Sequence, residues 1–130
     1  MIKHFFIIDN DEDELFLFID AIKTLKIPYS CTWAKTGEQG LKQLSYVIPD
    51  IIFIDYNMPS MNGLEYIKAI RGIPLYNSIP IVLYSCEMND IVRSMALQFG
   101  ATICVNKIDA QSLQDIWLSV YAGTYNSVRT

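Results

Sequence analysis

The sequence is poor in residues that staple, span or ligate. It has only three cysteines (Cys31, Cys86 and Cys104) in 130 residues, and no C-x-x-C pair. Neither a disulfide framework nor a cysteine zinc site follows from such a count, and the thiols read as small hydrophobes in a reducing cytosol. There is one histidine, His4, which argues against a histidine metal site or a Ser-His-Asp triad and reads as a solvated or half-buried side chain. The uncharged apolar runs are strand-sized, far short of the roughly twenty residues of a membrane span. The apolar stretch near the N-terminus gives way at Asp9 to acids, where a secretory signal would continue and end in small residues. Basic charge is scarce and scattered: 10 Lys and Arg stand against 14 Asp and Glu, for a net charge of −4. Without a basic face, binding to nucleic acid or to an anionic membrane surface is disfavoured. The expected location is the cytoplasm.

What is present is a core and a rhythm. Hydrophobic residues make up 52% and charged residues 18%, a composition that is neither disordered nor coiled-coil, and the length suits one domain. Short apolar runs alternate with amphipathic stretches. Phe5-Phe6-Ile7-Ile8 reads as a first strand, followed by Leu15, Phe18, Ile19, Ile22 and Leu25 at helical spacing, with Asp11 or Asp13 as cap and Pro28 as stop. Tyr29 to Ala34 reads as a second strand and Gly37 to Tyr46 as a helix, with Leu41 and Leu44 facing in. Ile51 to Ile54, after Pro49, is the third strand; a loop with Pro59 and Gly63 leads to a helix carrying Leu64, Ile67 and Ile70. Ile81 to Tyr84 is the fourth strand, followed by a helix with Ile91, Val92, Met95, Ala96 and Phe99 on one face, closed by Gly100. Thr102 to Val105 is the fifth, and the last helix carries Leu113, Ile116, Trp117 and Val120. Continuous apolar strands are buried on both faces, and helical crossovers of this length join parallel strands. The expected fold is a doubly wound α/β sandwich, with its ligand site outside the carboxyl ends of the strands.

The chemistry-bearing residues stand at those ends. Strand one offers Asp9, Asn10 and Asp11; strand three offers Asp55, with Asn57 two residues on; strand four offers Ser85 and strand five Lys107. Carboxylates and carbonyls hold Mg²⁺, a hydroxyl and an ammonium suit phosphoryl oxygens, and a carboxylate can itself take a phosphoryl group. The acidic run Asp9, Asp11, Glu12, Asp13 and Glu14 fits a solvated helix start as well as a cation site.

At this point the chain resembles a response-regulator receiver domain of the CheY-like superfamily, over roughly residues 2 to 121. Ile52-Phe53-Ile54-Asp55-Tyr56-Asn57-Met58-Pro59-Ser60-Met61-Asn62-Gly63 is similar to the family's hhhDxxMPxMxG signature, with Ser85, Gly100-Ala101 and Lys107 where the family has its hydroxyl residue, its small pair and its lysine. The resemblance implies a flavodoxin-like (βα)5 sandwich with a five-stranded parallel sheet of order 2-1-3-4-5. It implies a single receiver domain over 1–130, with a short tail at 122–130, and the start at Met1 favours a free-standing one. It further implies Asp55 as phosphoacceptor, a Mg²⁺ site from Asp9, Asn10, Asp55 and the carbonyl of Asn57, and Ser85 and Lys107 as the residues that contact the phosphoryl group and move with the switch. The donor would be a histidine kinase or histidine phosphotransfer protein. A downstream protein would read the face of helix four, strand five and helix five, with the chain a monomer or weak dimer. Such a protein is a switch, with at most slow self-dephosphorylation, rather than an enzyme.

Three departures bear on this. Asn10 replaces the second acid of the usual pair, so weaker Mg²⁺ binding than in a typical receiver is expected. Ile108 follows Lys107 where the family has proline, so a trans bond and an altered loop are expected. Cys104 occupies the position of the family's rotating aromatic switch; Tyr84 is a candidate partial substitute, though strand alternation could equally bury it. These departures motivate the alternative of a phosphorylation-independent protein-binding module. A further alternative is a phosphohydrolase with Asp9 as nucleophile, since Ile8-Asp9-Asn10-Asp11 resembles the hhDxD motif of the haloacid dehalogenases; the chain is short for that family. A flavodoxin-like redox role fails, because no Ser/Thr/Gly-rich loop follows strand one. Trp33 and Trp117 read as packing residues, Cys86 as partly exposed beside the site, and Phe16, off the apolar face of its helix, as a candidate partner surface.

Overall fold

The structure is a computed structural model that describes residues 2–58, 61–106 and 108–121. In chain order it comprises β1 (Lys3–Ile8), α1 (Glu12–Lys23), β2 (Tyr29–Ala34), α2 (Gly37–Leu44), β3 (Ile51–Asp55), α3 (Gly63–Arg71), a 3₁₀ turn (Pro74–Tyr76), β4 (Ile81–Tyr84), α4 (Asp90–Phe99), β5 (Ile103–Val105) and α5 (Ala110–Tyr121). The strands form one parallel sheet of order β2-β1-β3-β4-β5. The doubly wound (βα)5 expectation and its strand order are both met.

Alternation along the strands sorts the core into two layers. Phe5, Ile7, Ile51, Phe53, Val82, Tyr84 and Ile103 face α1 and α5, meeting Leu15, Phe18, Ile22, Leu113 and Ile116. Phe6, Ile8, Ile52, Ile54, Ile81, Leu83 and Cys104 face α2, α3 and α4, meeting Leu44, Ile67, Ile70, Val92 and Ala96. A strand buried on both sides needs both alternating sets apolar, which is why these strands read as unbroken hydrophobic runs. Helix starts are fixed by side-chain caps: Asp11 accepts from the Asp13 N–H, Thr36 from Gln39, Asn62 from Glu65 and Asn89 from Val92. Of the two caps open for α1, the structure uses Asp11. Gly100 ends α4 with φ of 118°, a left-handed conformation that glycine adopts without steric cost.

One expectation is corrected. Ile91 and Met95 do not lie on the buried face of α4: they are 74% and 39% exposed, while Val92 and Ala96 are buried. A short helix lying flat on a sheet buries a stripe one residue wide every turn, so the flanking apolar residues stay in solvent. α2 ends at Leu44 rather than Tyr46, and β5 starts at Ile103 rather than Thr102, shifts within ordinary boundary variation. Among the described residues, no helix is long and apolar enough to cross a membrane.

Candidate functional site

The parallel register delivers the strand ends to one edge. Ile8 pairs with Ile54, and Asp55 with Tyr84, so Asp9, Asp55 and Ser85 emerge side by side. All three, with Asn10, Asn57, Tyr84 and Ile108, line a cleft of about 900 Å³. Asp9 and Asp55 continue the alternation that points Phe5, Ile7, Ile51 and Phe53 towards α1 and α5. The start of α3 is held tightly beneath the site, because a Cβ on Gly63 would lie 2.9 Å from the Asp55 carbonyl oxygen and 2.6 Å from Leu83 Cδ1.

Asp55 Oδ1 accepts the Asn57 N–H at 3.1 Å, and Asn57 Nδ2 donates to Ser85 Oγ at 3.3 Å. The Ser85 hydroxyl also accepts from the Glu87 N–H at 3.2 Å. Asp55, Asn57 and Ser85 are therefore joined by hydrogen bonds although they come from two strand ends. Asp9 is only 1% exposed, yet both of its oxygens are bonded: Oδ1 accepts the Asp11 N–H at 2.9 Å and Oδ2 accepts the Tyr84 hydroxyl at 2.5 Å. The main-chain oxygen of Asp9 takes the indole N–H of Trp33 at 2.7 Å.

The electrostatics are those of crowded acids. Burial pushes the Asp55 carboxyl up to about 6, reinforced by the charges of Asp9, Glu14 and Asp11 and opposed by the Asn57 N–H. Burial likewise raises Asp9, against the pull of its bonds to Tyr84 and Asp11. Glu14 is raised by burial and then by Asp9, Asp11 and Asp13, and Tyr84 is raised well above its usual range by burial next to Asp9. Among the described residues, no group of three or more His, Cys, Asp or Glu could hold a metal ion. What the site offers is the carboxylates of Asp9 and Asp55, the Asn57 carbonyl and the neutral amide of Asn10. These are hard oxygen donors in a locus of excess negative charge, a donor set that fits a small divalent cation.

The structure thus brings together Asp9, Asn10, Asp55, Asn57 and Ser85. Lys107 and its bond to Ile108 lie outside the described residues, as do Pro59 and Ser60 of the signature stretch. Cys104 is 3% exposed in the layer under α4, on the opposite face of the sheet from Tyr84. Tyr84 therefore does not stand in for an aromatic between α4 and β5; its ring is buried towards α1 and its hydroxyl is on Asp9. Asp11 caps α1, and its charge still acts on Asp55. The contributions of Tyr84, Trp33 and Glu14 are the ones that the sequence reading did not assign. The only sequence signal for Tyr84 was its parity with Val82, which places it on the Asp9 side of the sheet.

Known proteins share this sequence pattern and this fold. The family model for the response regulator receiver domain matches residues 5–117. The chain is 30% identical over 105 residues to hybrid signal transduction histidine kinase D of Dictyostelium discoideum, a match covering 81% of this chain and 7% of that protein. It is 27% identical over 95 residues to a probable chemotaxis protein CheY of Rhizobium etli, covering 73% of each. Among solved structures, chemotaxis response regulator CheY4 of Vibrio cholerae superposes with a TM-score of 0.82 at 22% identity, over 92% of this chain and 99% of that one.

Proposed function

Since the chain belongs to the response-regulator receiver family, we propose that it accepts a phosphoryl group on Asp55 from a phosphohistidine and switches what it binds. The observation that carries this reading is the convergence of Asp55, Asp9, Asn57 and Ser85 on one acidic cleft. An Asp55 oxygen attacks phosphorus while the N–P bond to the donor imidazole breaks, and the imidazole leaves with the electron pair. Asp55 gains a second negative charge in a site already crowded with acid. Asp9, Asp55, the Asn57 carbonyl and the Asn10 amide would hold Mg²⁺, which when bound supplies neutralisation of the carboxylates and of the phosphoryl oxygens. The Ser85 hydroxyl, now shared between Asn57 and Glu87, is the donor to the new phosphoryl oxygens, and Lys107 is their cation.

Moving Ser85 alters β4 and the loop into α4. Arg93 of α4 donates to the Cys104 carbonyl on β5 at 2.7 Å, which ties the two elements that would shift together. Ile91 and Met95, exposed on α4, belong to the face a downstream protein would read.

The test is intact-protein mass after incubation with acetyl phosphate, with Mg²⁺ or EDTA and with Asp55→Asn as control. One phosphoryl adduct that needs both Mg²⁺ and Asp55 is expected. An adduct that survives Asp55→Asn would refute the assignment, and no adduct from acetyl phosphate or from a histidine phosphotransfer protein would favour the phosphorylation-independent module.

A further inference from the structure

We propose that Tyr84 is a positioning residue of the cation site: its phenol holds the buried Asp9 carboxylate in the orientation that binds the metal, in a chain where the neutral Asn10 stands beside that carboxylate. This rests on the Mg²⁺-dependent reading above. The phenol and the carboxylate come from β4 and β1, 75 residues apart in sequence, and meet at 2.5 Å. Both are buried, with Tyr84 6% and Asp9 1% exposed. A buried phenol without a partner is costly, and a buried carboxylate more so, so each fixes the other. The ring is not free to leave: it lies 6.2 Å from Phe18 of α1, which packs edge-on against Phe53 at 4.5 Å.

The lone pairs decide what is left for a cation. Each carboxylate oxygen has two acceptor sites. On Asp9, one is used by the Asp11 N–H and one by the Tyr84 hydroxyl, which among the described residues leaves one site on each oxygen. Asp9 is thereby oriented without being consumed. Hydrogen-bond partners of metal-bound carboxylates act in this way, and removing one typically lowers metal affinity by about 10- to 100-fold. With Asn10 contributing no charge, Asp9 carries more of the binding, and its orientation matters more.

The experiment counts free Mn²⁺ by its paramagnetic resonance signal, with Mg²⁺ as competitor, in the unaltered chain, Tyr84→Phe, Asn10→Asp and the double variant. Far-ultraviolet circular dichroism confirms the fold of each. Tyr84→Phe should weaken binding by about tenfold, the low end of the range for such partners. In the Asn10→Asp background the loss should shrink to about threefold or less, because a second charged oxygen then shares the cation. Equal loss in both backgrounds would mark general damage to the site and overturn the proposal. So would unchanged affinity in Tyr84→Phe when the unaltered chain binds Mn²⁺, with the receiver reading left standing. No binding by the unaltered chain would bring down both. A second measurement needs no variant: Mn²⁺ uptake at Asp9 should perturb the tyrosine ultraviolet absorbance, and a flat difference spectrum at saturation would also overturn the proposal.

Discussion

Removing the charge of Asp55 should make the metal-free protein more stable at neutral pH, although it destroys the proposed phosphoacceptor. The carboxyl is held up to about 6 from its usual 3.8 by burial and by Asp9, Glu14 and Asp11. The sign follows from proton linkage: a folded-state value above the unfolded one means that the folded protein holds the proton more tightly. The stability so conferred is fully present below pH 3.8 and is lost as the pH rises through about 6. The difference, 6 − 3.8, is about 2.2 units, or roughly 3 kcal/mol as a ceiling at 1.36 kcal/mol per unit. The cleft is open and the carboxyl half-exposed, so solvent screening reduces this to about 1 kcal/mol. For a chain of this size that is a rise of roughly 3–4 °C in Tm. Asparagine keeps an oxygen for the Asn57 N–H, so the local hydrogen bond survives. The assay is thermal unfolding of the unaltered chain and Asp55→Asn in EDTA at pH 7.5 and pH 4.5. The variant should be the more stable at pH 7.5, with the gap closing at pH 4.5, where Asp55 is already largely protonated, and narrowing at pH 7.5 when Mg²⁺ is added. A variant no more stable than the parent at pH 7.5, or an equal gap at both pH values, would refute the picture of an uncompensated carboxylate.

Four further outcomes are expected. Asn10→Asp should tighten Mg²⁺ binding, read by the fluorescence of Trp33, whose indole N–H sits on the Asp9 carbonyl; unchanged affinity would show that the missing acid does not limit the site. Gly37→Ala should cost about 1–3 kcal/mol in urea unfolding, because a Cβ there would lie 1.2 Å from Tyr66 Cζ in a fully buried ring. Tyr66→Phe, which removes a buried hydroxyl with no hydrogen-bond partner among the described residues, should be neutral or stabilising by up to about 1 kcal/mol, and a clear loss of stability would show the hydroxyl to be satisfied. His4 is lowered below 6.5 by burial, against the pull of Asp50, so the unfolded chain takes up the proton first and stability falls as pH drops below 6.5. His4→Gln should flatten that fall in melts between pH 7 and pH 5, and identical slopes would remove His4 as the cause.

The architecture was legible because parallel sheets announce themselves. Phe5 to Ile8, Ile51 to Ile54 and Ile81 to Tyr84 are apolar at every position, which only two-sided burial explains, and the helices between them repeat at helical spacing. Periodicity was weaker where the buried stripe is narrow. In α4 the residues Ile91, Val92, Met95 and Ala96 form one apolar patch on paper, and only contact with the sheet selects Val92 and Ala96. The start of α1 was open between Asp11 and Asp13 for a related reason: both are good caps, and the choice depends on where the chain leaves β1, which Asp9 fixes by accepting the Asp11 N–H.

The candidate site divides along the same line between what repeats locally and what meets only in space. Asp9, Asp55 and Ser85 could be nominated because each ends an apolar run, and a parallel sheet puts such ends on one edge. What those residues do to each other depends on register, which no local pattern states. Tyr84 shares a parity with Val82, and so with the layer facing α1; Cys104 belongs to the other layer, beside Leu83. An aromatic in the first layer cannot replace a ring lost from the second, however close the two stand in the sheet. The same parity that bars Tyr84 from that task delivers its hydroxyl to Asp9. Asn10 and Tyr84 therefore have to be read together: a chain that gives up one carboxylate charge at the mouth of β1 places a buried hydrogen-bond donor on the carboxylate it keeps.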